Sequence, residues 1–272
     1  MADAGLTHAE WLSRVPTLLA ETSTAWGLTL GEAYAPGAAG YAVRAELPGG
    51  HPAVLKLIDP HREAEREAAA LARWAGDGAV RLLAHDPERW ALLLERCEPG
   101  TMLAERPAEE ALDILVGLLP RLWKNADGFN TLEREAERWT DEIARDARDP
   151  ELRDAALAYL RELPHTQGAQ VLVNQDLHGE NVLAAQREPW LVIDPKPLSG
   201  EREFAVAPIV RSFELGHSKR DMLYRFDRLT AELGLDRERA RGWTVAQTVA
   251  WSGGSDYWDV HLDTVRWLLE EA

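Results

Sequence analysis

Asp176 and Asn181 stand five residues apart in Asn174-Gln175-Asp176-Leu177-His178-Gly179-Glu180-Asn181, and Asp194 follows thirteen residues later. The apolar run Val171-Leu172-Val173 leads into the first group, and Trp190-Leu191-Val192-Ile193 leads into Asp194. A lone Asp after a strand is ordinarily a turn former or a helix cap. An Asp, an Asn at +5 and a second Asp at the end of a short hairpin together suit phosphoryl transfer. One carboxylate orients an acceptor hydroxyl and takes its proton. The amide oxygen and the second carboxylate are the hard oxygen donors that Mg²⁺ requires on nucleotide phosphates. Asp176 is therefore the expected base, with Asn181 and Asp194 as the expected metal ligands. His178 has no His or Cys partner at zinc spacing and is read as a brace for the loop.

A second set of residues lies upstream. Lys56 interrupts the apolar alternation of Ala53-Val54-Leu55-Lys56-Leu57, in a chain whose thirty basic residues include only Lys56, Lys124, Lys196 and Lys219 as lysines. The ordinary reading is an edge-strand lysine facing water. Beside the downstream trio, it reads instead as a strand lysine that grips nucleotide phosphates and is oriented by a helix carboxylate. Glu67 is the expected partner, with Glu63 one turn earlier as second choice. Gly37-Ala38-Ala39-Gly40 falls where a phosphate-covering turn belongs, so Gly37 and Gly40 are secondary nucleotide contacts. No Gly-x₄-Gly-Lys-Ser/Thr occurs, which excludes a P-loop NTPase by motif.

Two stretches could take the acceptor. Trp251-Ser252-Gly253-Gly254-Ser255-Asp256-Tyr257-Trp258-Asp259 breaks a helical pattern with aromatic and acidic groups, and Trp251, Asp256, Trp258 and Asp259 suit a polyhydroxylated or cationic molecule. A helix-capping loop is the plain alternative. Glu201 and Glu203 form a second acidic candidate.

These groups need elements to hold them. Residues 8–25 carry apolar side chains at helical spacing. Strand-like runs follow at 28–30, 41–47 and 53–57, the last two joined by the turn Pro48-Gly49-Gly50. Residues 62–74 read as a helix, and strands are expected around 80–84 and 90–94. Beyond the hinge-like Glu95-Arg96-Cys97-Glu98-Pro99-Gly100 the pattern turns helical at 108–122, 132–145, 152–163, 222–233, 237–251 and 256–269, apart from the strand-and-loop segment 171–195. The expected fold is α+β and bilobal, in the manner of protein kinases. A β-rich lobe would span 1–97 and a mainly helical lobe 98–272, the latter with the catalytic and metal-binding loops.

Composition narrows the classes further. The 272 residues are 46% apolar and lack low-complexity tracts, as a folded globular chain requires. No apolar run approaches the ~20 residues of a membrane span, and no signal-peptide pattern opens the chain. A single cysteine, Cys97, precludes an intrachain disulfide and fits a reducing compartment, so a cytoplasmic location is expected. A net charge of −16 argues against nucleic-acid binding and is compatible with a cationic small-molecule partner.

Gly78-Ala79-Val80-Arg81-Leu82-Leu83-Ala84, Ala91-Leu92-Leu93-Leu94-Glu95-Arg96, Pro99-Gly100-Thr101, the 176–183 loop and Trp190–Lys196 together resemble the aminoglycoside phosphotransferase superfamily. The likeness is greatest to its streptomycin 6-kinase and hydroxyurea-kinase branch. The resemblance implies nucleotide in an interlobe cleft, with the backbone from Glu95 to Cys97 holding the base and Lys56 the phosphates. It implies Asn181 and Asp194 on Mg²⁺, Asp176 on the acceptor hydroxyl, and ATP or GTP as donor. The reaction would be O-phosphorylation of an aminoglycoside or related antibiotic as a resistance function. A metabolic kinase of an amino sugar or other hydroxylated metabolite is the second reading, and a silent nucleotide-binding regulator the third. One departure concerns the flank: the family usually has His-Gly before the catalytic Asp, whereas this chain has Asn174-Gln175.

Overall fold

The computed structural model describes residues 7–35, 40–253 and 258–271. In chain order the elements are α1 (His8–Trp26), β1 (Thr29–Ala33), β2 (Gly40–Glu46), β3 (Pro52–Ile58), α2 (Glu67–Trp74), β4 (Leu82–Asp86) and β5 (Ala91–Glu95). Then come α3 (Ala108–Leu122), α4 (Leu132–Asp146), α5 (Pro150–Glu162), β6 (Gln170–Asn174), β7 (Val182–Ala184), β8 (Trp190–Val192), β9 (Pro197–Glu201), α6 (Ala207–Val210), α7 (Lys219–Glu232), α8 (Arg237–Ser252) and α9 (Trp258–Glu270). They fall into two compact units: 1–101 with 183–194, and 102–182 with 195–272. The boundary expected at 97/98 thus lies at Thr101, and the hairpin that ends on Asp194 counts with the first unit.

In the first unit, five antiparallel strands run in the order β1-β2-β3-β5-β4. Alternation along β3 buries Ala53, Leu55 and Leu57 with Val43, Ala45, Ala91 and Leu93, and Trp11 and Val15 of α1 cover that face. Because successive side chains point to opposite faces, Lys56 must point away from this core, from between Ala42 on β2 and Leu92 on β5. α1 is started by a Thr7–Glu10 capping box and stopped by Gly27 at φ 65°. The expected 62–74 helix is shorter: residues 62–64 form a 3₁₀ turn, and the α-helix begins at Glu67. The 183–194 hairpin joins this unit through its backbone. Val80 N–H donates to Val192 O (3.0 Å), Val192 N–H to Gly78 O (2.9 Å), and Gly100 N–H to Ala184 O (3.0 Å). Those bonds decide its allegiance, and no periodicity in the sequence encodes them.

The second unit is built around α8, whose side chains from Ala240 to Val249 are all buried. A helix buried on every side must be a core helix. Its Trp243 packs edge-on to Phe204 at 5.9 Å, and Phe204 lies 5.8 Å from Trp139 of α4. β6 pairs antiparallel with β9, Asn174 standing opposite Pro197. That strand was not expected, because all five residues of Pro-Leu-Ser-Gly-Glu are buried and show no period-two contrast. Gly200 sits where a Cβ would come within 2.9 Å of Leu132, so the strand can pass α4 only as glycine. Among the described residues, no helix is long and apolar enough to cross a membrane.

Candidate active site

In the first unit the chemistry gathers on Lys56. β3 presents its Nζ to Glu67 on the first turn of α2, at 2.7 Å from Oε1 and 2.8 Å from Oε2, and to Asp194 Oδ1 at 2.7 Å. Glu67, not Glu63, is therefore the carboxylate on the lysine, and it is 1% exposed. Burial works against the ammonium, but Glu67 and Asp194 outweigh it and raise the lysine's pKa. Asp194 holds the left-handed backbone conformation, at φ 48°, which is uncommon for a residue with a Cβ and is typical of functional turns. Its carboxylate is half exposed. Carboxylate oxygens such as these suit a hard divalent ion. Gly40 approaches the lysine closely: a Cβ there would lie 3.4 Å from Lys56 Cε and 3.2 Å from Leu57 O. Gly37 lies outside the described residues.

Glu95 and Cys97 follow β5. The Glu95 carboxylate accepts Arg81 N–H (3.0 Å) and two guanidinium bonds from Arg187 (2.8 and 3.0 Å). Although burial raises its pKa, Arg187 and the Arg81 N–H hold it below the usual carboxylate range. Arg187 also donates to Gly76 O and Ala79 O, so Glu95 anchors the 183–194 hairpin with its side chain. Burial and Glu95 push the Cys97 thiol up to about 12, which makes it inert as a nucleophile.

In the second unit the chemistry gathers on Asp176. Asn174 accepts at its Oδ1 from the backbone N–H of Asp176 (3.1 Å) and of Lys196 (3.0 Å), and buried Gln247 donates to Gln175 O (2.8 Å). The Asn174-Gln175 flank thus fixes the loop's entry. Asp176 Oδ2 accepts from Lys196 Nζ at 2.7 Å, and Oδ1 from Arg211 at 3.4 Å. Both cations stand over the Trp251 ring, Arg211 at 4.4 Å and Lys196 at 5.2 Å. Asn181 closes the loop by donating from Nδ2 to Asp176 O (3.0 Å), so its amide oxygen is the atom suited to a hard cation.

His178 and Glu214 brace this loop. Glu214 accepts Gly179 N–H, and its Oε2 lies 3.5 Å from His178 Nδ1. A Cβ on Gly179 would fall 2.7 Å from Glu214 and 2.9 Å from Ala104 N, so only glycine fits. Burial disfavours the imidazolium, but Glu214 and Asp176 outweigh it and raise its pKa. With Glu180, these side chains form a group close enough to share a metal ion, yet the His178–Glu214 pairing and the Gly179 bond already employ it in holding the loop. Glu214 and Arg211 are held in turn by buried Arg225, which donates to Val210 O, Ser212 O and Leu215 O.

The expected acceptor residues fare differently. Glu201 is 1% exposed and receives Arg239 (2.8 and 3.0 Å), Trp243 Nε1 and Gly168 N–H. Its carboxylate is consumed inside the core, which corrects its assignment to an acceptor pocket. Glu203 is half-buried and accepts Asp236 N–H at the start of α8 (3.5 Å). Trp251 backs the two cations on Asp176. Asp256 lies outside the described residues, Trp258 opens the backbone of α9, and Asp259 is exposed on its first turn. Sequence reasoning missed Lys196, Arg211, Glu214 and Arg225. Only Lys196 carried a signal, as one of four lysines and two residues past Asp194.

Residues 32–258 match the family described as aminoglycoside/hydroxyurea antibiotic resistance kinase. Streptomycin 6-kinase of Streptomyces griseus is 38% identical over 264 residues, covering 92% of this chain and 84% of that protein. Hydroxyurea phosphotransferase of Kitasatospora aureofaciens is 37% identical over 258 residues, covering 90% and 74%. Among solved structures, a choline kinase from Streptococcus pneumoniae superposes with a TM-score of 0.65 at 13% identity, covering 95% of this chain and 98% of its own, a likeness of fold.

Proposed function

This chain belongs to the aminoglycoside/hydroxyurea antibiotic resistance kinase family and is a phosphotransferase, and on that premise we propose that it confers resistance by phosphorylating a hydroxyl of an aminoglycoside or related antibiotic. The donor is ATP or GTP and the setting the cytoplasm. The observation that carries this reading is Asp176, fixed by Asn174, Asn181, Lys196 and Arg211 at the end of β6.

In this reading the first unit is the nucleotide unit. Lys56, oriented by Glu67, binds the phosphates, and the backbone from Glu95 to Cys97 takes the base. Asn181 and Asp194 would hold Mg²⁺, which neutralises phosphate charge when bound. The second unit supplies the acceptor chemistry. Asp176 orients the hydroxyl and receives its proton as the oxygen attacks the γ-phosphorus in line. The bond to the β-phosphate breaks, and the nucleoside diphosphate leaves with the electron pair. The acceptor hydroxyl, not water, is activated because a positioned carboxylate raises the effective concentration of the one nucleophile it holds.

The test is a coupled nucleotide-release screen with ATP and GTP against streptomycin, other aminoglycosides, hydroxyurea, choline and simple amino sugars, followed by mapping of the phosphate on each product. The reading expects an antibiotic among the accepted molecules, phosphorylated on oxygen. Turnover confined to choline or sugars would overturn it.

A further inference from the structure

Asp176 is held by a charge arrangement that exceeds what a base needs. A single cation would suffice to orient the carboxylate, yet Lys196 Nζ lies 2.7 Å from Oδ2 and Arg211 lies 3.4 Å from Oδ1. The three side chains are mostly buried, at 23% exposure for Lys196, 10% for Arg211 and 15% for Asp176. Both cations therefore stand beside the oxygens that the acceptor hydroxyl must approach. Phosphoryl transfer develops its charge on the equatorial oxygens of the moving group, next to that hydroxyl.

The two cations are not equivalent. Arg211 lays its guanidinium over Trp251 at 4.4 Å, and its loop is held by Arg225. Such a planar, stacked fork stays where it is packed. Lys196 is a point charge on a flexible stem, farther from the same ring at 5.2 Å and more exposed. Its backbone, in contrast, is fixed: Asn174 binds the N–H of both Asp176 and Lys196, and Gln175 N–H donates to Lys196 O at 3.0 Å. The unusual Asn174 therefore couples the expected base to this lysine through the backbone, and of the two cations the lysine has the more flexible side chain. His178, two residues beyond Asp176, is engaged with Glu214 and is no substitute.

We propose that Lys196 is a catalytic residue of the transfer. It holds Asp176 Oδ2 before the acceptor binds, yields that oxygen to the acceptor hydroxyl, and then donates to an equatorial oxygen of the γ-phosphoryl group in flight, while Arg211 keeps Oδ1. The inference rests on the reading of Asp176 as the group that receives the acceptor proton. During the step the acceptor oxygen bonds to phosphorus, its proton passes to Asp176, and the bond to the departing nucleoside diphosphate breaks with its electron pair. Lys196 remains protonated throughout.

Binding of MgADP with and without aluminium fluoride, which adopts the shape and charge of the transferring phosphoryl, isolates this role from acceptor identity. In the wild-type protein aluminium fluoride should tighten MgADP binding at least about 10²-fold. Lys196→Met should leave MgADP affinity within about twofold and reduce that enhancement about 10-fold or more, and Lys196→Arg should recover part of it. Unaltered MgADP affinity certifies that the variant is folded. Equal enhancement in Lys196→Met and the wild type, or none in either, overturns the proposal. A separate transfer assay on Asp176→Asn keeps the two ideas apart: wild-type turnover there removes Asp176 as the base, whereas the aluminium fluoride comparison reports on Lys196 alone.

Discussion

The two units carry opposite charge arrangements. The first sets one cation, Lys56, between two carboxylates, Glu67 and Asp194; the second sets one carboxylate, Asp176, between two cations, Lys196 and Arg211. The first cluster thus centres on a cation and the second on an anion. On the proposed function, a divalent cation would join the carboxylates of the former and a phosphoryl anion the cations of the latter, so the two units would divide the labour of one reaction. The scaffolds suit the tasks. An antiparallel sheet sets the direction of Lys56 by register, whereas Asp176 sits on a loop and needs Asn174, Asn181, His178 and Glu214 to fix it.

The strongest way to break this contrast is to remove Asp194. Asp194→Ala leaves Lys56 with Glu67 alone and deletes an expected Mg²⁺ ligand, so magnesium-dependent transfer should fall at least about 10³-fold. A magnesium titration checks it, and an unchanged magnesium response contradicts the metal assignment.

Next in size is a carboxylate that the contrast leaves out. Glu201 bonds Arg239, Trp243 and Gly168 inside the second unit, so Glu201→Gln should cost about 2–4 kcal/mol of stability through a disrupted buried pair. Denaturant unfolding measures that loss. The acceptor KM of the folded variant should be unchanged, and a raised KM with intact stability would return Glu201 to the acceptor site.

The smallest effect concerns charge beside Arg211. Burial, Arg211 and His217 depress the His261 imidazole to about 4. A group depressed by folding contributes stability that is complete above its unfolded value and is lost as pH falls through the folded one. Acidification from pH 7 towards 4 should therefore lower the melting temperature, since charging His261 adds a third cation near Arg211. His261→Gln should flatten that slope; an identical slope in both proteins would contradict the linkage.

Much of this was legible in the residues. Spacing alone singled out Asp176, Asn181 and Asp194, because each proposed chemical role demands its own side chain at its own distance along the loop. Lys56 stood out as a charge inside an apolar alternation, and Glu67 as the acidic residue one helix onward. Helices such as α3 were readable from their 3.6-residue period. The rest was hidden for physical reasons. β9 is buried on both faces and so shows no alternation. Arg211 is one arginine in an arginine-rich chain, and its meaning comes from the Trp251 ring forty residues later in the fold's packing. Glu201 looked available because carboxylates usually face solvent, and only Arg239 and Trp243, far along the chain, explain its burial.

The division of labour is tested most directly by Asp176→Asn, which removes the carboxylate of the second unit and leaves the first untouched. MgATP affinity and single-turnover transfer to an accepted antibiotic should be measured on the same preparation. The account predicts nucleotide affinity within about twofold of wild type and transfer lower by roughly 10²–10⁴-fold. Transfer at the wild-type rate, or lost nucleotide binding in a folded variant, would contradict it.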